Sequence, residues 1–94
     1  MAVYRITRFA ASDMEKVREM TNGMRDIIEG MGAAFIDVVS YGNGKGVVIA
    51  KYPDSAAMDA AADTAKQVFA DLIAAGVVDG DSVHPHAGEV IESY

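Results

Sequence analysis

Phe35 to Tyr52 reads FIDVVSYGNGKGVVIAKY, two apolar runs joined around Asn43-Gly44. Asn-Gly is the preferred central pair of a type I′ hairpin turn, because both positions need a positive φ. A two-residue turn there predicts a register. Ser40 faces Val47, Val38 faces Ile49 and Ile36 faces Lys51. On the other face Val39 meets Val48, Asp37 meets Ala50, and Phe35 meets Tyr52 as an aromatic cross-strand pair. Both faces of the hairpin are apolar. Helices can cover only one of them, so the second needs another partner.

The rest of the chain supplies the layers. Val3 to Phe9 alternates as a strand, with Tyr4 and Ile6 on one face and Val3, Arg5, Thr7 and Phe9 on the other. Ser12-Asp13-Met14-Glu15 has the S-x-x-E pattern of a capping box. Met14, Val17, Met20, Met24, Ile27, Ile28 and Met31 follow at helical spacing, one stripe over about five turns, with Gly23 weakening the middle and Gly30 and Gly32 placed to end it. After the hairpin, Pro53 closes the strand and Asp54 or Ser55 can cap a second helix. Its apolar face runs from Met58 through Ala61, Val68 and Leu72, with Gly76 as the stop. Its many alanines suit a helix lying close against a sheet. Val77 to Ala87 reads as a loop and Gly88 to Tyr94 as a last strand, with Val90 or Ile91 inward.

The order β-α-β-β-α-β is the split βαβ, or ferredoxin-like, arrangement in the α+β class. Right-handed crossovers put both helices on one face of a four-stranded antiparallel sheet of order 4-1-3-2, in one domain spanning residues 1–94. The predicted helix-facing set is Tyr4, Ile6, Ile36, Val38, Val47 and Ile49. The predicted open face is Val3, Arg5, Thr7, Phe35, Asp37, Val39, Val48, Ala50 and Tyr52. An apolar face of that size exceeds what monomers usually expose, so a homodimer is expected.

Composition narrows the function classes. A net charge of −6 argues against nucleic acid, which needs clustered Lys and Arg, and against an anionic membrane surface. The absence of cysteine removes disulfides, thiolate catalysis and Cys-ligated metal. The N-terminal segment MAVYRITRFA lacks the basic-then-apolar pattern of a signal peptide, and no stretch approaches membrane-spanning length, so a cytoplasmic location is the expectation.

The β-α-β-β-α-β order, the GNGKG hairpin, the VVIAKYPDSAAMDAA passage and the closing GEVIESY segment together resemble the dimeric α/β-barrel superfamily over essentially the whole chain. The likeness is greatest to the small antibiotic-biosynthesis-monooxygenase-like proteins. That resemblance implies two sheets paired face to face and a ligand cleft between sheet and helices. It also implies a range of activities: cofactor-free monooxygenases, haem-degrading enzymes, isomerases and decarboxylases. Haem-degrading members resemble one another in a first-strand Asn, a Trp and a helical His. Here the first strand offers Thr7, there is no Trp, and neither helix holds a His, so that activity does not carry over. No cofactor is expected.

Individual residues admit two readings each. His84-Pro85-His86 places two imidazoles on one side of an extended segment, where they can bind a metal, given further ligands such as Glu89 or Asp81, or act as acid and base; equally, the segment is a solvated loop. No metal site is expected. Asp37, among apolar residues, suits a general base with a raised pKa, or an ion pair across the dimer. Arg5 and Thr7 share one face of the first strand. Arg5 can hold a carboxylate or enolate that Thr7 orients, or it can pair with Glu89 or Glu92. Phe35 and Tyr52 can flank a planar ligand. The methionine stripe is either core or a pliable pocket wall. The predicted catalytic residues are therefore Asp37 and His86, and the predicted ligand-binding residues are Arg5, Thr7, Phe35, Tyr52 and His84. Two functions follow: a cofactor-independent monooxygenase or isomerase acting on an apolar, ring-bearing small molecule, or a non-catalytic dimer that binds such a molecule or simply assembles.

Overall fold

A computed structural model describes all residues, 1–94. Four strands form one antiparallel sheet: β1 (Val3–Ala10), β2 (Phe35–Ser40), β3 (Lys45–Tyr52) and β4 (His84–Glu89). Their spatial order is β2-β3-β1-β4, the order expected from two right-handed crossovers. Helices α1 (Met14–Gly23), α2 (Arg25–Glu29) and α3 (Ser55–Ala74) lie on one face of it. No helix is long and apolar enough to cross a membrane.

Local chemistry sets the boundaries, in places differently from the sequence pattern. The first long helix is two. Gly23 ends α1, and Met24 has a non-helical backbone with no side-chain cap. A residue with the highest helical entropy cost thus interrupts the stripe where it was only expected to weaken it. The N-cap of α1 is Asp13, whose carboxylate accepts from Lys16 N–H; Ser12 instead donates its hydroxyl to the Gly76 carbonyl, 3.1 Å away, tying the two helical connections together. Asp54 caps α3 through Ala57 N–H at 2.8 Å. The last strand lies earlier than the GEVIESY segment suggests. It contains Pro85, which is tolerated because β4 is an edge strand bonded to β1 alone. Val90 still anchors to the Ala2 carbonyl, at 3.0 Å, and Ile91 is exposed.

The central hairpin carries the largest correction. Asn43 (φ 58°) and Gly44 (φ 75°) do occupy the turn, which Lys45 N–H closes onto the Gly42 carbonyl at 3.1 Å. But Tyr41, not Gly42, is the next residue to pair, its N–H donating to the Lys45 carbonyl at 3.1 Å. Gly42 (φ 93°) is an extra residue, a glycine bulge at the end of the strand. One extra residue slips the register by one, and a slip of one exchanges the faces of the partner strand. Val38 therefore meets Val48, Asp37 meets Ile49 and Phe35 meets Lys51.

The consequence runs through β1, which pairs Val3 with Tyr52, Arg5 with Ala50 and Thr7 with Val48. The helix-facing side is Val3, Arg5, Thr7, Phe9, Val48, Ala50 and Tyr52, with Ile36 and Val38. The open side is Tyr4, Ile6, Val47 and Ile49, with Phe35, Asp37 and Val39. Strands β1 and β3 are thus inverted from the sequence expectation, while β2 keeps its assignment. Alternation groups residues correctly but does not say which group faces the helices. Phe35 and Tyr52 are not a cross-strand pair: Phe35 meets the Tyr4 ring edge-on at 6.1 Å on the open face, and Tyr52 is buried on the other.

Only eleven residues are buried, few for a chain of this length, because one sheet face is bare and the helix layer is not filled. The core forms two clusters. Phe9, Val17, Leu72, Val77 and Val78 make one, supported by Met14, Met20 and Met24. Val3, Ala50, Tyr52 and Ala61 make the other, where α3 alanines let the helix approach the sheet.

Candidate functional site

Between the two clusters lies a cavity of about 520 Å³, touching Phe9, Val17 and Leu72 of one and Ala50 and Tyr52 of the other. That volume is within the usual range of small-molecule pockets. Its floor is the inward face of β1, β3 and β2. One wall is α3, through Ala65, Val68 and Phe69, and the other is α1 and α2. Most lining residues are apolar. Met14 and Met31 line it, while Met20 and Met24 pack against the core, so the methionine stripe serves both purposes.

Four polar side chains stand on the floor: Arg5, Thr7, Tyr52 and, at the exposed end of β2, Ser40. Arg5 is half-buried at the middle of β1, and its neighbours across the sheet are Ala50 on β3 and Ala87 on β4, too small to cover it. Glu89 lies on the diagonal, yet the three ion pairs of the chain, Lys16–Glu19, Arg18–Glu15 and Arg25–Glu29, leave Arg5 out. Thr7 is 4% exposed and Tyr52 1%. No fully buried side-chain polar atom is without a partner, so the Thr7 and Tyr52 hydroxyls, which have none in the chain, open onto the cavity. Burial pushes the Tyr52 phenol above its usual pKa, and the nearby Arg5 charge partly offsets the rise.

The mouth is polar. Arg18, Asn22 and Arg25 line it from α1 and α2, with Glu29 the single carboxylate. Arg25 donates to the Asn22 side-chain oxygen at 2.9 Å and to Glu29 at 3.3 Å. The sequence reading missed these mouth residues. Their signal is a helical spacing of four and three, 18, 22 and 25, beside the methionine stripe.

Of the sequence-predicted site residues, Arg5, Thr7 and Tyr52 come together on the cavity floor; Phe35 borders the cavity only from the start of β2, with its ring on the open face against Tyr4. Asp37, His84 and His86 do not. Asp37 is exposed on the open face of β2, and the two histidines are exposed on the same face of β4, opposite Arg8 and Ile6. Strands β2 and β4 are the two edges, so Asp37 and His86 stand about 14 Å apart by strand spacing and cannot act on one atom within a single chain. No third His, Asp or Glu comes close enough to complete a metal site with the histidine pair.

A sheet of this order with its helices on one side and a cleft beneath them defines the class: a ferredoxin-like α+β fold. SnoaB, a cofactor-independent oxygenase from Streptomyces nogalater, superposes with a TM-score of 0.77 at 12% identity, over 98% of this chain and 95% of that one. A candidate antibiotic biosynthesis monooxygenase from Deinococcus radiodurans gives 0.72 at 18% identity, over 100% and 96%. A conserved protein from Methanosarcina mazei Go1 gives 0.69 at 18%, over 95% and 92%. Identities this low establish the shared fold alone. No protein-family model matches the sequence, and no curated protein matches it.

Proposed function

We propose that the protein binds an apolar, ring-bearing small molecule in the cavity between sheet and helices and acts on it as a cofactor-independent monooxygenase or isomerase, in a homodimer. The cavity itself carries this reading: apolar walls around a floor where Arg5, Thr7 and Tyr52 converge. Its composition, apolar with a few placed polar groups, is that of small-molecule sites. The oxygenase activity of SnoaB, with its matching fold, supports the catalytic half. Chemistry of this kind starts by removing a proton from a carbon whose charge the ring system spreads. A guanidinium and two hydroxyls aimed at one region can stabilise an oxygen atom taking up that charge. The apolar walls exclude water from the carbanion.

One observation favours the non-catalytic alternative. Glu29, at the mouth and held by Arg25, is the only carboxylate on the wall, and no imidazole reaches it. Binding without turnover needs no base. The two readings separate on a tricyclic ketone whose CH2 lies between two aryl rings, a substrate that yields a new carbonyl and water from one O2. The catalytic reading predicts O2 uptake without added cofactor, lost when Val48→Trp puts an indole across the cavity floor. Binding of the ketone with no O2 uptake and no isomerised product would leave the non-catalytic reading standing.

A further inference from the structure

The charge on the cavity wall is opposite to that of the chain. The protein carries −6 overall, with fourteen Asp and Glu against eight Lys and Arg. The cavity nevertheless gathers three arginines, Arg5, Arg18 and Arg25, against the one carboxylate of Glu29. The mouth arginines have exposed partners one helical turn away, pairs that water screens heavily. Arg5 has none, and it stands half-buried between two alanines on a floor that holds no carboxylate. A partly desolvated cation without a counter-ion is costly, and an incoming anion relieves that cost. The guanidinium presents its donors in a planar fork that matches a carboxylate. Thr7, two residues along the same face of β1, and Tyr52, on the diagonal across β3, place two further hydroxyls on the floor.

We infer that the ligand of this cavity is an anion: a ring-bearing carboxylic acid whose carboxylate sits on Arg5 and whose ring lies against the apolar walls. The inference rests on the cavity being a binding site, as proposed above, and adds the chemical class of what enters it. Neutral rings of the same shape gain only the apolar contact, and cationic rings meet the mouth arginines and Arg5.

The probes are 2-naphthoate and its neutral isostere 2-naphthamide, titrated at pH 7 by naphthyl fluorescence, which no tryptophan obscures in this chain. The expected result is naphthoate binding roughly tenfold tighter than the amide, the worth of one charge-assisted pair. Arg5→Gln brings naphthoate down to the level of the amide. Arg5→Lys keeps the charge but loses the fork and weakens naphthoate by roughly two- to tenfold. Circular dichroism confirms folding of each variant, and the Lys variant carries the test if the Gln variant misfolds. Equal affinity for the two probes overturns the inference while leaving the cavity as a site for neutral rings. A preference that survives in Arg5→Gln, or naphthoate affinity unchanged in Arg5→Lys, also overturns it. If neither probe binds, the cavity reading falls and this inference with it.

Discussion

Tyr52 shows how one side chain reports on the site. Its ring is buried beside Arg5 with its hydroxyl on the cavity, and desolvation raises its pKa above the ordinary 10.0, against the lowering effect of Arg5. A raised folded-state pKa gives a stability contribution that is whole below pH 10, where both states hold the proton. It is lost as pH climbs from there through the folded value, because the unfolded chain ionises first. In a spectrophotometric titration one of the four tyrosines should therefore ionise later than the rest, and Tyr52→Phe should remove that late step. If four tyrosines titrate together in the native protein, Tyr52 is not desolvated as described. Arg5 and Thr7 were legible as a pair because they share parity on one strand. Tyr52 was rightly grouped with Val48 and Ala50 on β3, but nothing in a period-2 pattern says which side the helices take.

At the scale of elements, most of the fold is legible: element order, sheet order, the α3 cap at Asp54 and its stop at Gly76 all follow from spacing and turn chemistry. The hairpin register was not, and the reason is one residue. GNGKG offers both a two-residue turn and a turn with a glycine bulge, and Gly42 makes the second available by taking a φ of 93°. The last strand was misplaced because Pro85 argues against a strand until its edge position is known. Gly44 is the tighter constraint, with φ 75° and its would-be Cβ driven into the Ala11 carbonyl. Gly44→Val should cost about 1–3 kcal/mol, a midpoint drop of several degrees for a domain this small. An unchanged thermal midpoint would show the turn to be otherwise built. Gly23 behaves in the opposite sense. Its φ is ordinary and its Cβ position is open, so Gly23→Ala should stabilise by about 0.4–1 kcal/mol in urea unfolding. A loss instead would mean that the break between α1 and α2 is required for packing.

For the whole molecule, the bare sheet face is the feature that needs a partner. Ile6, Val39 and Phe35 remain 40%, 41% and 39% exposed there, with Tyr4, Val47 and Ile49 half-buried among them. Pairing two such faces buries apolar area worth about 25 cal/mol per Å², and a two-fold axis makes the surface self-complementary. A homodimer through the open face is still the proposal after the inversion of β1 and β3, with Tyr4, Ile6, Val47 and Ile49 in place of Val3, Val48, Ala50 and Tyr52. Ile49→Glu should convert the dimer to a monomer in sedimentation velocity. A mass unchanged by a charge at position 49 would place the interface elsewhere. Such a dimer also gathers Asp37, His84 and His86 toward the interface and away from the cavity, which separates assembly from ligand binding on opposite sides of one sheet.

Adjacent residues on β3 test that separation directly. Val48 lines the cavity with Val38 and Ile36, whereas Val47 and Ile49 point the other way. In methyl-resolved NMR, titrating 2-naphthoate should shift Val48, Val38 and Ile36 and leave Val47 and Ile49 where they are. Shifts at Val47 and Ile49 with Val48 unmoved would contradict both the placement of the ligand and the assignment of the sheet's two faces.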